Sequence, residues 1–189
     1  MPEPSHLRPA VFLDRDGTIC EEVGYLNHLS RFRMFSFVAA ALRRLNDAGF
    51  RLIVVSNQSG VARGYFPESL VQQVNQVMVG QLSDAGAKVD AVYYCPHASS
   101  DNCDCRKPKT GMLERAAREH SIDLQRAFVV GDRHGDIELA RNAHARGILV
   151  RTGYGEGELA WHAAKWTAPP DFVADDLAQA VDWILRQAR

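Results

Sequence analysis

The sequence of 189 residues contains no long apolar run, no long block of like charge and only four cysteines. Its longest apolar runs, such as residues 52–55, are far shorter than the roughly 20 residues that a membrane-spanning helix needs. Residues 1–9 lack the apolar segment of a signal peptide, so we expect a cytoplasmic protein without a membrane partner. Nucleic acid is not an expected partner either, because 22 basic and 23 acidic residues leave no basic stripe.

Hydrophobic residues make up 46% of the chain and charged residues 24%, which is typical of a globular protein. A chain of this length buries about 70% of its unfolded surface and needs no disulfide framework. We therefore expect a single domain that spans residues 1–189.

Short apolar runs alternate with segments of helical periodicity. The predicted strands are residues 10–13, 51–55, 89–94, 127–130 and 148–150, and the predicted helices are residues 38–48, 67–85, 109–120, 136–145 and 177–187. This alternation predicts an α/β fold with a doubly wound, mostly parallel, Rossmann-like sheet. In such sheets, sites form beyond the carboxyl ends of the strands. The glycine-rich segment 153–157 is predicted to be a surface loop.

Two aspartates, Asp14 and Asp16, follow the first predicted strand in the segment DRDGT at residues 14–18. On extended backbone both side chains project to one side, where the two carboxylates repel each other unless a cation or a proton lies between them. Mg²⁺ would relieve the repulsion, so that one carboxylate could act as a nucleophile and the other could carry a proton. A polar turn or a helix cap would account for the same residues.

Polar residues also follow the second and fourth predicted strands. Residues 56–60 (SNQSG) offer a hydroxyl and successive N–H groups to phosphate oxygens, although a loop with a capping serine has the same pattern. Asp132 could complete a carboxylate metal site, and Asp136 is also a candidate helix cap. We interpret His134 as a solvated loop residue rather than as a general base.

A basic segment at residues 105–111 (CRKPKTG) lies between these strands. Its arginine and lysines could bind phosphate, or the segment could be an exposed basic turn. The spacing alone does not decide between Lys107 and Lys109.

Together these segments resemble the four motifs of the haloacid dehalogenase-like phosphatases, in that family's order and over nearly the whole chain. The resembling positions are residues 14–18, Ser56, Lys107 and residues 131–136. Within the family, the segments SNQSGVARGY, CPH and CDCRKP are most similar to members that remove the 7-phosphate of a heptose 1,7-bisphosphate. Histidinol-phosphate phosphatases are similar nearly as closely. Ser56 departs from the family pattern, where threonine is commoner, but it keeps the hydroxyl.

The resemblance implies hydrolysis of a sugar phosphate monoester through an aspartyl-phosphate. It makes Asp14 the nucleophile and Asp16 the general acid and base, with Ser56 and Lys107 on the phosphoryl oxygens. The substrate-binding residues that it implies are Arg15, Glu22, Tyr25, Asn57, Gln58, Ser59, Arg63, Arg106 and Arg133.

The resemblance also implies a catalytic Mg²⁺. Its ligands would be Asp14, Asp132 and the main-chain carbonyl of Asp16. Asp136 would lie behind them and orient Lys107 or a metal-bound water.

Three of the four cysteines lie between residues 95 and 105, and in a chain without export signals such clustering favours a metal over disulfides. Cys95, His97, Cys103 and Cys105 supply four ligands of the kind that tetrahedral Zn²⁺ prefers, in a closed site with no position for substrate. We expect a structural zinc loop at residues 95–105 that aims Arg106 and Lys107. A reduced cysteine cluster without metal is the alternative.

Only residues 21–37 separate the first strand from its helix, so we expect a capless enzyme, and a fold of this size is expected to be monomeric. A nucleic-acid 3′-phosphatase would require a basic stripe. A zinc-stabilised binding module without catalysis is the alternative from another class, but such a module has no need of both Asp14 and Asp16.

Overall fold

The structure is a computed structural model that describes residues 7–187. Its strands are β1 (Ala10–Leu13), β2 (Arg51–Asn57), β3 (Ala91–Cys95), β4 (Phe128–Gly131), β5 (Arg146–Val150) and β6 (Phe172–Ala174). Its helices are α1 (Val38–Asp47), α2 (Glu68–Asp84), α3 (Gly111–His120), α4 (His134–Asn142), α5 (Gly155–Trp161) and α6 (Leu177–Gln187). Short 3₁₀ turns complete the connections.

The six strands form one sheet in the order β3-β2-β1-β4-β5-β6, and every adjacent pair is parallel. In the centre of the sheet, Val11 is paired with Leu52 of β2 and with Phe128 of β4. The predicted α/β fold with a doubly wound parallel sheet is therefore confirmed.

The side chains of β1 alternate between two cores, because successive residues of a strand point to opposite faces. Val11 and Leu13 pack with buried residues of α1, α2 and α6, whereas Ala10 and Phe12 pack with those of α3 and α4. All four β1 residues are completely buried. Burial on both faces explains why the strand is a continuous apolar run rather than an alternating one.

Four parts of the fold differ from the sequence-based expectation. His134 is the first residue of α4, its side chain is 17% exposed and its ring stacks on Trp166, so it is not a solvated loop residue. Strand β6 was not expected, since its three residues are too short to give a periodic signal. Strand β2 continues to Asn57, so Ser56 and Asn57 belong to the strand rather than to the loop. The glycine-rich segment is not a surface loop throughout, because α5 begins at the buried Gly155, where a Cβ atom would overlap the carbonyl oxygen of Val150.

Between β1 and α1, the only helical element of the described chain is a 3₁₀ turn at Leu29–Arg31. No second domain is inserted at this point, which agrees with the capless architecture expected. Within residues 7–187, no helix combines the length and the apolar character needed to cross a bilayer.

Candidate active site

The strand order reverses between β1 and β4, and ligands of open parallel sheets bind at such a switch point. Asp14 directly follows β1, and Asp132 directly follows β4. Together with Asp136 they offer three carboxylate oxygens that lie within 4.8 Å of one another. Asp132 and Asp136 are 1% and 2% exposed, so the structure places a buried acidic cluster at this position.

Two glycines allow the chain to approach Asp132 closely. A Cβ atom at Gly17 or at Gly153 would overlap the Asp132 carboxylate, and both glycines have positive φ angles, of 81° and 60°. The N–H group of Tyr154 donates a hydrogen bond of 2.8 Å to Asp132 Oδ2, and the Thr152 hydroxyl donates to the carbonyl of Gly17. The loop after β5 therefore contacts both Asp132 and the turn that follows β1.

Lys107 is the cation of the site. Its ammonium group lies 2.9 Å from Asp14 Oδ1 and 2.7 Å from Asp136 Oδ1, and it donates a hydrogen bond to the carbonyl of Val55. Burial alone would lower the pKa of Lys107, but the two carboxylates outweigh it and the pKa is raised. Lys109, in contrast, is exposed and donates to the carbonyl of Cys103, so the structure brings Lys107 rather than Lys109 to the carboxylates.

Burial raises the pKa of Asp14 to about 7, although the Lys107 ammonium opposes this effect. Burial, together with the neighbouring Asp14 and Asp136 carboxylates, raises the pKa of Asp132 to about 8. Without a cation the cluster therefore holds protons at neutral pH. The oxygen donors and their excess negative charge fit a hard divalent ion such as Mg²⁺.

Asp136 is near enough to the other two carboxylates for direct ligation, but its Oδ1 faces the Lys107 ammonium. This contact favours the expected role behind the metal ligands. Asp16 is not part of the carboxylate cluster, which leaves only its main-chain carbonyl as a candidate ligand.

Asp16 has a different environment. The guanidinium of Arg15 holds it through two contacts, Nε to Oδ1 at 3.2 Å and Nη2 to Oδ2 at 2.9 Å, and Gln58 Nε2 donates to Oδ2 at 2.8 Å. Burial would raise the pKa of Asp16, but Arg15 and these hydrogen bonds lower it overall. The carboxyl group is therefore ionised in the free protein.

Arg15 does not line the pocket, which corrects the expectation that it contacts the substrate. Its side chain is 1% exposed, and its hydrogen bonds go to Asp16 and to Asn75. A guanidinium buried this deeply is costly unless paired, and both partners are protein groups. Arg15 thus supports Asp16 from below.

The polar residues at the end of β2 hold other site residues in place. Asn57 accepts a hydrogen bond from the N–H of Lys107 and donates one to its carbonyl, so it fixes the backbone of the lysine. Gln58 donates to Asp16 and also to Ser56 Oγ at 3.3 Å. Ser56 is 1% exposed and lies beneath Gln58.

A cleft of about 360 Å³ opens above these groups. The sequence-predicted residues that line it are Asp14, Asp16, Glu22, Tyr25, Asn57, Gln58, Ser59, Arg63, Arg106, Lys107, Arg133 and Asp136. Ser56, which was expected to contact the phosphoryl group, and Asp132 do not line it, and both are almost completely buried. The cleft therefore combines an acidic floor with arginines at its rim.

Tyr154 also lines the cleft and was missed by the sequence reasoning. Its ring lies 3.7 Å from the Arg133 guanidinium, and its N–H binds Asp132. The flanking glycines were the available signal, since they mark a close approach of the backbone. Asn75 and Thr152 were missed as well, because they lie outside every motif.

Cys95, His97, Cys103 and Cys105 converge into a second cluster at the end of β3. The sulfur of Cys95 lies 3.5 Å from that of Cys103 and 3.5 Å from His97 Nδ1, which in turn lies 3.3 Å from Cys105 Sγ. Tetrahedral zinc with bonds of 2.0–2.3 Å separates its ligand atoms by roughly 3.3 to 3.8 Å. The four residues therefore fit a closed tetrahedral metal site.

A model of the haloacid dehalogenase-like hydrolases matches residues 16–141, and a HAD-hydrolase-like model matches residues 104–180. The chain belongs to the haloacid dehalogenase-like hydrolase family. Among its curated relatives is the D-glycero-D-manno-heptose-1,7-bisphosphate 7-phosphatase of Thermosynechococcus vestitus, which is 46% identical over 94% of this chain and 95% of that protein. The Escherichia coli D-glycero-beta-D-manno-heptose-1,7-bisphosphate 7-phosphatase is 40% identical over 84% of this chain and 87% of its own length.

The fold has a solved counterpart in the D,D-heptose 1,7-bisphosphate phosphatase from B. bronchiseptica, complexed with magnesium and phosphate. That structure has a TM-score of 0.86 and 31% sequence identity, and the match covers 96% of this chain and 99% of that one.

We predict that Gly17→Ala abolishes Mg²⁺ binding, because its Cβ would displace the Asp132 carboxylate. Gly49→Ala is the matched control, since Gly49 has a φ angle of 83° but open space at the Cβ position. Both variants should lose about 1–2 kcal/mol of unfolding free energy from the left-handed backbone. Calorimetric Mg²⁺ titration of both variants checks this, and normal binding by Gly17→Ala would contradict it.

We also predict that Mg²⁺ affinity rises between pH 6 and pH 8, by up to about tenfold per pH unit for each proton released. In the folded protein the pKa values of Asp14 and Asp132 are raised from 3.8 to about 7 and about 8, so a cation must displace protons from these carboxyl groups. By the same linkage, the contribution of these groups to stability without metal falls as the pH rises to 8. Titration calorimetry in buffers of different ionisation enthalpy measures both affinity and proton release, and an affinity independent of pH would refute the prediction.

Proposed function

We propose that this chain is a magnesium-dependent phosphatase that removes the 7-phosphate of D-glycero-D-manno-heptose 1,7-bisphosphate. The observation that carries the proposal is the convergence of Asp14, Asp132 and Lys107 at the switch point of the sheet, where Asp14 and Lys107 line an arginine-rimmed cleft. The identity of 46% with a curated heptose-bisphosphate phosphatase supports the choice of substrate.

The reaction proceeds in two displacements. A carboxylate oxygen of Asp14 attacks phosphorus, the bond from phosphorus to the sugar oxygen breaks, and Asp16 gives its proton to the leaving oxygen. Water then attacks the aspartyl-phosphate and gives a proton to Asp16, while the bond between phosphorus and Asp14 breaks. Inorganic phosphate is released, and both carboxyl groups return to their initial state.

Asp16 must be protonated when the substrate is bound, although it is ionised in the free protein. A phosphate dianion that enters the cleft beside Asp16 disfavours a second negative charge there. Substrate binding therefore favours the protonated form of Asp16, which can then act as the acid.

Asp14, Asp132 and the main-chain carbonyl of Asp16 would hold Mg²⁺, which would neutralise charge between the nucleophile and the phosphoryl oxygens. Lys107 lies 2.9 Å from Asp14, which supports assigning its ammonium to a position beside the phosphorus that Asp14 attacks. There it stabilises the equatorial oxygens, where charge accumulates in the transition state. The resemblance assigns the Ser56 hydroxyl to the same oxygens, but in the free protein Ser56 lies beneath Gln58 and does not line the cleft.

The second phosphate of the substrate is assigned to the arginines of the rim, Arg63, Arg106 and Arg133. Arg106 is held by one hydrogen bond from Nη1 to the carbonyl of His97, which leaves its remaining N–H groups for a ligand. A guanidinium fork binds phosphate through two parallel hydrogen bonds.

The cysteine and histidine cluster is assigned to a structural Zn²⁺. Four protein ligands fill a tetrahedral site and leave no position for substrate. The metal would connect the end of β3 to residues 103–105, directly before Arg106 and Lys107. Its role is to fix the loop that carries these two cations.

We predict a kcat/KM for heptose 1,7-bisphosphate that is at least about a hundredfold higher than for histidinol phosphate, because only a bisphosphate occupies the arginine rim. Phosphate release from both substrates with Mg²⁺ measures this ratio. Equal rates on the two substrates would remove support for the heptose substrate.

We predict that Asp14→Asn lowers phosphate release by at least about a thousandfold, because the nucleophile is lost. No release by metal-loaded wild-type protein would favour a binding module.

We predict that Cys103→Ser lowers zinc content and reduces kcat at least about tenfold, since a small displacement of Lys107 is sufficient for such a loss. Ser99→Ala, an exposed change in the same loop, serves as the control and should keep both zinc and activity. Elemental analysis measures the zinc content of the two variants, and steady-state kinetics measures their kcat. Wild-type protein that is fully active without zinc would refute this role.

A further inference from the structure

A polar side chain interrupts the apolar face of α2. The other buried residues of this helix are Val71, Val74, Met78 and Leu82, whereas Asn75 is a buried amide with 7% exposure. Asn75 Oδ1 accepts a hydrogen bond of 3.0 Å from Arg15 Nη1, across 60 positions of sequence. A buried amide is destabilising without a partner, so its presence here requires a reason beyond packing.

Arg15 connects this amide to the pocket. Its side chain is 1% exposed, and its remaining donors, Nε and Nη2, contact both oxygens of Asp16. Two parallel contacts fix the plane of a carboxylate as well as its position, which a single ammonium cannot do. Asn75 in turn fixes the rotation of the guanidinium by holding Nη1.

Asp16 is the only one of these three residues that lines the cleft, and its side chain is 21% exposed. Its position is therefore set by Arg15 and Asn75, which do not line the cleft. Gln58 and Cys20, which also contact the Asp16 carboxylate, complete its surroundings.

We infer that Arg15 and Asn75 are positioning residues, which hold the carboxyl group of Asp16 at the angle needed to give its proton to the leaving sugar oxygen. The inference rests on the proposed function, in which Asp16 is the general acid. It extends the catalytic arrangement to α2, which contributes no residue to the four motifs.

The test compares two substrates that differ in their need for an acid. Heptose 1,7-bisphosphate releases an alkoxide, which requires a proton, whereas p-nitrophenyl phosphate releases a stable phenolate without one. The ratio of kcat/KM values for the two substrates isolates the first displacement from the later hydrolysis, which is common to both. We expect Asn75→Leu and Arg15→Lys to lower this ratio about tenfold to a hundredfold, since a displacement of about 1 Å has an effect of that size.

Two further variants separate positioning from stability. Asn75→Asp keeps the acceptor for Arg15 and should retain a ratio closer to wild type than Asn75→Leu. Val74→Ala weakens the packing of the same helix without removing a hydrogen bond, so its ratio should equal that of wild type. Thermal unfolding of each variant confirms that folded protein is compared, and Arg15→Lys provides the result if Asn75→Leu does not fold.

Asp16→Asn distinguishes the two ways in which the experiment can fail. If Asp16→Asn leaves the ratio unchanged, Asp16 is not the acid and the proposed mechanism fails. If Asp16→Asn lowers the ratio while Asn75→Leu and Arg15→Lys do not, the positioning role alone is overturned. A proportional loss on both substrates in these two variants would likewise show a purely structural effect.

Discussion

The rest of this molecule must hold three carboxylates close to one another and to the buried ammonium group of Lys107. At an effective dielectric constant of about 20, two like charges 4 Å apart repel each other by about 4 kcal/mol. Lys107 compensates only part of the charge of Asp14, Asp132 and Asp136, and burial together with the excess negative charge raises the pKa of Asp14 and Asp132. The site is therefore unfavourable on its own and favourable once a divalent cation is present. Rigid packing must supply the free energy that holds these groups together before the cation arrives.

The sheet supplies that rigidity. Asp14 and Asp132 follow two adjacent central strands, β1 and β4, whose residues are fully or almost fully buried. A backbone N–H group then binds each carboxylate: that of Arg15 donates to Asp14, and that of Tyr154 donates to Asp132. The same arrangement explains the residues at the end of β2, because Asn57 and Gln58 use their amides on Lys107 and Asp16 rather than being free for a ligand. Their side chains connect separate parts of the site to one another.

Much of the fold was predictable, because β1 and β4 are short apolar runs next to clear helical periodicity and their chemistry lies where the strands end. Strand β6 and helix α5 were not, since one has three residues and the other begins with glycines. The carboxylates of Asp14 and Asp132 were predicted from their positions directly after two strands. Arg15 was misassigned, because an arginine between two aspartates gives no indication of whether it faces the cleft or the core. Asn75 could not be found at all, since its partner is distant in sequence and its helix otherwise has an apolar buried face.

Gly153 shows how much of the site lies outside the segments by which such proteins are recognised. It belongs to none of the four motifs, yet any larger side chain there would overlap both the Asp132 carboxylate and Gly17. A homologue could therefore retain every signature residue and still be inactive after one substitution in the loop that follows the fifth strand. A count of genes that encode the four motifs would then overestimate the number of active enzymes. Inspecting the residue at the position of Gly153 would identify such inactive homologues.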